Sequence, residues 1–309
     1  MTIKPNILPF TKAVLMVRPS QFEFNQQASL TNSFQSHSTL SKKETLRKVI
    51  EEFETMVLKL EEQDVEVLVF DNKSSSKILP DAVFPNNWIS THPEELLFTY
   101  PMFVPNRREE RNPFIIDSLI KKYKYKWMDY SSFEKKDVYL EGTGSIVFDH
   151  YNRIAYASIS PRTDKDLFFI VAEKLGYEPV FFRAFGKKGE LIYHTNVMLT
   201  IGKDFAVLGI DTIDVKDKNK VLDYLTNSGK EIIQLSKHQV YNCFAGNMLQ
   251  IYNRKLEQVL VLSSTAYNSL TTKQKEVLNR HNDHLCIVNI PTIEQVGGGS
   301  ARCMLAEIF

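Results

Sequence analysis

A closed ring of five α/β units is the fold this sequence predicts, and three observations carry it. One order of elements, strand, helix, strand, turn and strand, recurs five times along the 309 residues. The residue that opens each final strand falls at a nearly constant period. No Pro- or Ser-rich linker divides the chain, so residues 1–309 read as a single domain.

The elements follow in order. Unit one has a strand at 13–17, a helix at 41–63, a strand at 65–70 and a final strand at 82–90. Along that helix Leu46, Val49, Ile50, Phe53, Val57 and Leu60 recur at three- and four-residue steps, one apolar face of an α-helix. Ser41 with Glu44 three residues on fits a capping box. Unit two reads 96–100, a helix at 108–123, 126–130 and 140–148. Unit three reads 153–159, a helix at 163–175 with Gly176 as its C-cap, 178–182 and 194–201. Unit four reads 205–210, a helix at 216–227, 231–235 and 248–252. Unit five reads 258–263, a helix at 271–280, 284–289 and 301–308. The polar stretch 21–38 belongs to no unit and reads as an irregular surface loop, with a lid over a pocket as one use of it.

The five opening residues are Asn87, Glu141, His194, Asn247 and Cys303, at steps of 54, 53, 53 and 56 residues. A fixed period of this size marks a repeat architecture. Units that each bury the open face of a neighbour can stack into a ring. Closure would bring the five openers together near the axis although they lie far apart in sequence.

Composition narrows the function. Lys and Arg number 38 against 37 Asp and Glu, so no global field draws nucleic acid or an anionic membrane surface. No apolar run approaches the roughly 18 residues of a membrane helix. Three scattered cysteines make no disulfide framework and no zinc pair. The first residues lack the build of a signal peptide, and a cytoplasmic location with reduced thiols is expected. Walker, G-x-G-x-x-G, G-x-S-x-G and H-E-x-x-H patterns are absent.

Chemistry points to Cys303, which follows Gly297, Gly298, Gly299 and Ser300. A cysteine in a strand is ordinarily a small hydrophobe, but glycine permits close approach to the sulfur. A thiol near its reference pKa of about 8.5 needs a base to become a nucleophile, and a leaving amine needs a proton. Of the seven histidines only His194 stands at a repeat-equivalent position. Glu141 opens Glu-Gly-Thr-Gly-Ser; it either serves a partner in the centre or caps the glycine turn. Asn86 and Asn87 place two amides beside Trp88 at the same ring position.

Together, Phe-Pro-Asn-Asn-Trp, Glu-Gly-Thr-Gly-Ser, His-Thr-Asn and Gly-Gly-Gly-Ser-Ala-Arg-Cys resemble the guanidino-group-modifying, or amidinotransferase, superfamily. The likeness covers nearly the whole chain and is nearest to the citrulline utilisation hydrolases. It implies the pentein fold, a five-bladed α/β propeller of ββαβ-type repeats around a pseudo-five-fold axis, and an enzyme for which no metal or organic cofactor is expected. By the same resemblance Cys303 is the nucleophile, His194 the general acid and base, and Glu141 the carboxylate that holds substrate nitrogens. Arg162, with Arg107 or Arg108 as a second, would bind the substrate carboxylate, a task suited to a planar fork. The partner implied is a small amino acid, and the sequence is as compatible with a homo-oligomer as with a monomer.

Arginine deiminases carry aspartates where this chain has Asn87 and Asn196. Asparagine offers an acceptor and a donor without charge, which suits a neutral ureido group better than a cationic guanidinium. A polar group left unpaired there costs about 1–3 kcal/mol. The reaction expected is citrulline to ornithine, ammonia and carbon dioxide through a covalent Cys303 intermediate. Arginine deimination, dimethylarginine hydrolysis and amidino transfer are the rival activities. A ligand-binding pentein without turnover is the non-enzymatic one.

Overall fold

Why the chain closes on itself is visible in its strand pairing. The computed structural model describes residue 11 and residues 13–72 and 78–309; residues 1–6, read above against a signal peptide, lie outside these. β1 (Ala13–Arg18) and β2 (Glu66–Asp71) run parallel, joined by the helix Lys42–Glu62. The Ser41 hydroxyl accepts from the Glu44 N–H, and the Glu44 carboxylate accepts from the Ser41 N–H, so the expected capping box is formed. Val49, Phe53, Met56, Val57 and Leu60 form the buried face of this helix and pack against Cys286, Val288 and Ile293.

The other four sheets share one plan: a hairpin, a helix, and a third strand parallel to the second. In the first, β3 (Ile89–His92) and β4 (Leu96–Thr99) are followed by the helix Pro113–Tyr123 and β5 (Lys126–Asp129). Next come β6 (Ile146–Asp149), β7 (Ile154–Ser158), the helix Lys165–Leu175 and β8 (Glu178–Phe182). Then come β9 (Leu199–Ile201), β10 (Phe205–Leu208), the helix Val215–Asn227 and β11 (Glu231–Gln234). The last has β12 (Leu249–Tyr252), β13 (Gln258–Ser263), the helix Thr272–Arg280 and β14 (His284–Val288).

β15 (Ala306–Ile308) then pairs antiparallel with β1, Ala13 opposite Ile308 and Leu15 opposite Ala306. The first sheet is therefore β15-β1-β2, and the ring is shut by its two ends. Each sequence unit is offset from each sheet, because its final strand joins the sheet of the next unit. The inner strands touch around the axis, β15 against β3, β6 against β9 and β9 against β12. The architecture is the pentein ring.

Two local expectations change. The segments expected as long final strands begin as short helical turns, Pro85–Asn87, Gly142–Ser145, Thr195–Val197 and Ala301–Met304. Proline lacks a ladder donor, and Gly142 sits at φ +46°, where a Cβ would lie 2.3 Å from the Asn86 carbonyl oxygen. The expected helix at 108–123 is interrupted, leaving Pro105–Arg108 and Pro113–Tyr123. Pro113 cannot donate into a preceding turn, so a new helix starts there with the Asn112 side chain accepting from the Phe114 N–H. Among the described residues no helix is long and apolar enough to cross a membrane.

Candidate active site

Four of the five opening residues, Asn87, Glu141, His194 and Cys303, reach the centre of the ring on the helical turns that precede the inner strands or at their N-caps, and Asn247 reaches it on the link between the helix Lys237–Cys243 and β12. Asn87, Glu141, His194, Asn247 and Cys303 are all at most 4% exposed. The His194 ring donates from Nε2 to Glu141 Oε2 over 2.7 Å. Glu141 Oε1 accepts from the Phe103 N–H at 3.0 Å. The Asn247 amide donates to Cys303 Sγ at 3.3 Å, and the Asn196 amide does so at 3.6 Å. Arg107 Nη1 donates to Asn87 Oδ1 at 2.7 Å, while the Asn87 amide donates to Asn86 Oδ1 at 2.9 Å.

Why the turns are built from glycine is explicit at one position. A Cβ on Gly144 would come within 2.5 Å of Asn87 Nδ2 and 2.7 Å of His194 Nδ1. The glycines before Cys303 serve the backbone as well as the pocket. Gly298 closes the helix Pro291–Gly297 in the left-handed region at φ +63°, and a Cβ on Gly299 would reach 3.0 Å from the Phe84 ring.

Burial and charge set the protonation of the central pair. Burial pushes the Glu141 carboxyl upward, but Arg162, the His194 hydrogen bond and Arg107 together hold it well below the usual carboxylate range. Burial drives His194 well below the ordinary histidine value, and Glu141 only partly offsets this. The pair is thus a carboxylate accepting from a neutral imidazole, which leaves the Nδ1 lone pair to take a proton. Arg107 is held by Glu110 through two hydrogen bonds of 2.9 Å and lies 3.8 Å from Asp81. Burial pushes Glu110 up to about 7 against the pull of Arg107, and it also raises Asp81.

The site is closed. Segment 21–38, expected as an irregular loop, lies across it. Arg162 donates to the Thr31 hydroxyl and the Ala28 carbonyl. Gln35 donates to the Gly297 carbonyl at 2.9 Å, and Asn32 reaches Gly297 and Gly298. The cavity left between Asp81, Arg107, Arg162, His194 and Cys303 measures about 10 Å³, space for about one water. A larger hollow of about 700 Å³ is lined by Phe22, Leu30, His37 and Leu40 and includes none of these groups.

Of the residues singled out from sequence, Asn87, Arg107, Arg162, His194 and Cys303 line the cavity. Glu141 stands behind His194, and Asn196 beside the sulfur. Arg108 is not brought in: it donates to the Met102 and Phe103 carbonyls and the Tyr139 hydroxyl, on the far side of its helical turn from Arg107. Asp81, Tyr193 and Asn32 line the cavity but were not singled out. Asp81 stands six residues before Asn87, where no motif marks it; Tyr193 directly precedes His194 and could have been taken with it. Among the described residues no group of three or more His, Cys, Asp or Glu is placed to hold a metal ion.

Comparison with known proteins follows the same lines. A family model described as N,N-dimethylarginine dimethylhydrolase, eukaryotic, matches residues 18–309. The N-terminal domain of ArgZ, an arginine dihydrolase from the ornithine–ammonia cycle in cyanobacteria solved with substrate bound, superposes with a TM-score of 0.74. It is 16% identical, over 96% of this chain and 97% of that one. AgrE with L-arginine gives a TM-score of 0.75 at 15% identity, over 96% of this chain and 40% of that one. DDAH from Pseudomonas aeruginosa, complexed with citrulline, gives 0.67 at 14% identity, over 97% and 100%. At these identities the structural likeness is one of fold. No curated protein matches the sequence.

Proposed function

This chain belongs to the N,N-dimethylarginine dimethylhydrolase family and is a hydrolase of the guanidino-group-modifying superfamily, and we propose that its substrate is citrulline or a near relative. The observation that carries this reading is the neutral amide lining of the reacting end. Asn87 and Asn196 stand where charged clamps would suit a guanidinium, and Arg107 donates directly to Asn87. Asparagine at both places offers donors and acceptors without charge; a neutral ureido group can pair with both, whereas a guanidinium, which only donates, leaves the amide donors unused.

In the proposed reaction neutral His194 takes the Cys303 thiol proton through Nδ1, and the sulfur attacks the ureido carbon. The tetrahedral adduct collapses as His194 returns the proton to the ornithine nitrogen, leaving an S-carbamoyl cysteine. His194 then removes a proton from water, which attacks the same carbon and releases carbamic acid. Carbamic acid divides into ammonia and carbon dioxide, so one citrulline and one water give ornithine, ammonia and carbon dioxide. Glu141 keeps the imidazole in the Nε2–H form and steadies its cation. Arg162 and Arg107 are read as ligands of the substrate carboxylate and Asp81 as acceptor for its ammonium. An entering carboxylate would displace the Thr31 hydroxyl from Arg162, so segment 21–38 must swing aside for substrate.

A second reading, hydrolysis of arginine or a methylated arginine, draws support from two buried carboxyl groups, Asp81 on the cavity wall and Glu141 behind His194. Incubation with citrulline, arginine and dimethylarginine, read by mass spectrometry, separates the two. The proposal expects ornithine from citrulline, abolished by Cys303→Ser with melting temperature retained. Brisk turnover of a guanidino substrate with citrulline untouched would overturn it.

A further inference from the structure

Asn247 opens the fourth repeat, yet neither the resemblance nor the reaction above gives it a task. It is 1% exposed and lies between the helix Lys237–Cys243 and β12. Each of its two amide ends is fixed by a backbone partner that has only one role, while Cys303 Sγ lies nearer Nδ2 (3.3 Å) than Oδ1 (3.7 Å). Oδ1 accepts from the Arg302 backbone N–H at 3.0 Å, which can only donate. Nδ2 donates to the Asn196 carbonyl at 3.0 Å, which can only accept. Turning the amide over would break both bonds, so the second Nδ2 hydrogen is the one facing Cys303 Sγ at 3.3 Å.

We propose that Asn247 belongs to the reaction centre, its amide N–H stabilising the thiolate of Cys303 and holding the sulfur in place for attack. Among the described residues the side chains hydrogen-bonded to that sulfur are Asn247 and the more distant Asn196. The adjacent cation is turned away: Arg302 donates to the Leu305 carbonyl at 2.7 Å and to Glu307 at 2.8 Å. A neutral donor is the nearest support a thiolate has here. Hydrogen bonds to a charged acceptor are stronger than those to a neutral one, so this N–H favours the thiolate over the thiol. The same residue ties Cys303 to its own turn, since the N–H it anchors belongs to the preceding residue. The inference rests on Cys303 being the nucleophile.

The test is the pH dependence of Cys303 alkylation, followed by mass spectrometry of its peptide, in the wild type, Asn247→Ala and Asn247→Asp. The other titratable and charged groups of the cavity, His194, Tyr193, Arg107, Arg162 and Asp81, and Glu141 behind His194, are the same in all three. Aspartate keeps an oxygen for the Arg302 N–H but has no hydrogen for the sulfur. The midpoint of the alkylation profile should rise by about one to two pH units in the alanine variant, and by at least as much in the aspartate variant. Lost turnover of the alanine variant should partly return at higher pH, which a loosened fold would not produce. An Asp variant with a wild-type profile, or an Ala variant whose midpoint does not move, overturns the proposal. Cys303→Ser run alongside keeps the premises apart: if it still turns over substrate, the nucleophile reading fails. If it is inactive and the profiles coincide, only the role of Asn247 fails.

Discussion

His194 and Glu141 show how burial decides chemistry at the scale of a residue. The imidazole is 2% exposed and, among the described residues, its one charged hydrogen-bond partner is Glu141, itself shared with Arg162. Desolvation of the imidazolium therefore wins, and His194 lies below the ordinary value of about 6.5. A base depressed in this way stays neutral below that pH, so the acid limb of kcat/KM should fall below about 6.5. A limb at or above it would show His194 charged in the resting site. Gly144 is the second test at this scale. Its added Cβ would meet Asn87 and His194, whose side chains are held by Arg107 and Glu141 and cannot step aside. Gly144→Ala should cost about 1–3 kcal/mol of stability and reduce kcat about tenfold or more, read by thermal melts and initial rates. Sequence reached Asn87, Glu141, His194 and Cys303 because the period marks backbone positions. It did not separate Arg107 from Arg108, since adjacent residues leave one helical turn in different directions.

At the scale of elements, the long amphipathic helices and their caps were legible and the short pieces were not. The helix Lys42–Glu62 carries several turns of one apolar face, whereas Lys237–Cys243, Ser264–Ser269 and Pro291–Gly297 are too short to show a period. The last of these matters most for the site. Its C-cap, Gly298, adopts a left-handed conformation, and a Cβ there would lie 2.6 Å from Gln35 Cγ and 2.8 Å from Asn32 Nδ2. Gly298→Ala should therefore cost about 1 kcal/mol in the backbone and push segment 21–38 off the cavity. Faster alkylation of Cys303 than in the wild type is the expected sign. An unchanged rate would mean that the segment already opens freely.

At the scale of the whole molecule, β15 is three residues long yet decides whether the ring exists. It pairs with β1, and Ile308 also accepts from and donates to Thr11. Leu305, Ala306 and Ile308 are buried beside it. Deleting residues 306–309 exposes the edge of β1 and removes the strand that follows Cys303. The loss should exceed about 4 kcal/mol, the range reached when a buried network is removed, and appear as a lower denaturant midpoint. A midpoint equal to the full chain would mean the ring is held by its other contacts. Legible along the chain are the alternation of strands and helices, the period of the five openers and the uncharged amides of Asn87 and Asn196, because these are local patterns or spacings. Packing in three dimensions settles that each final strand joins the next sheet, that Arg107 rather than Arg108 faces the cavity, that segment 21–38 covers it, and that the Asn247 amide points at the sulfur. Those outcomes depend on which surfaces meet when the two ends pair, and closure across nearly 300 residues is a condition on the whole chain that no local spacing encodes.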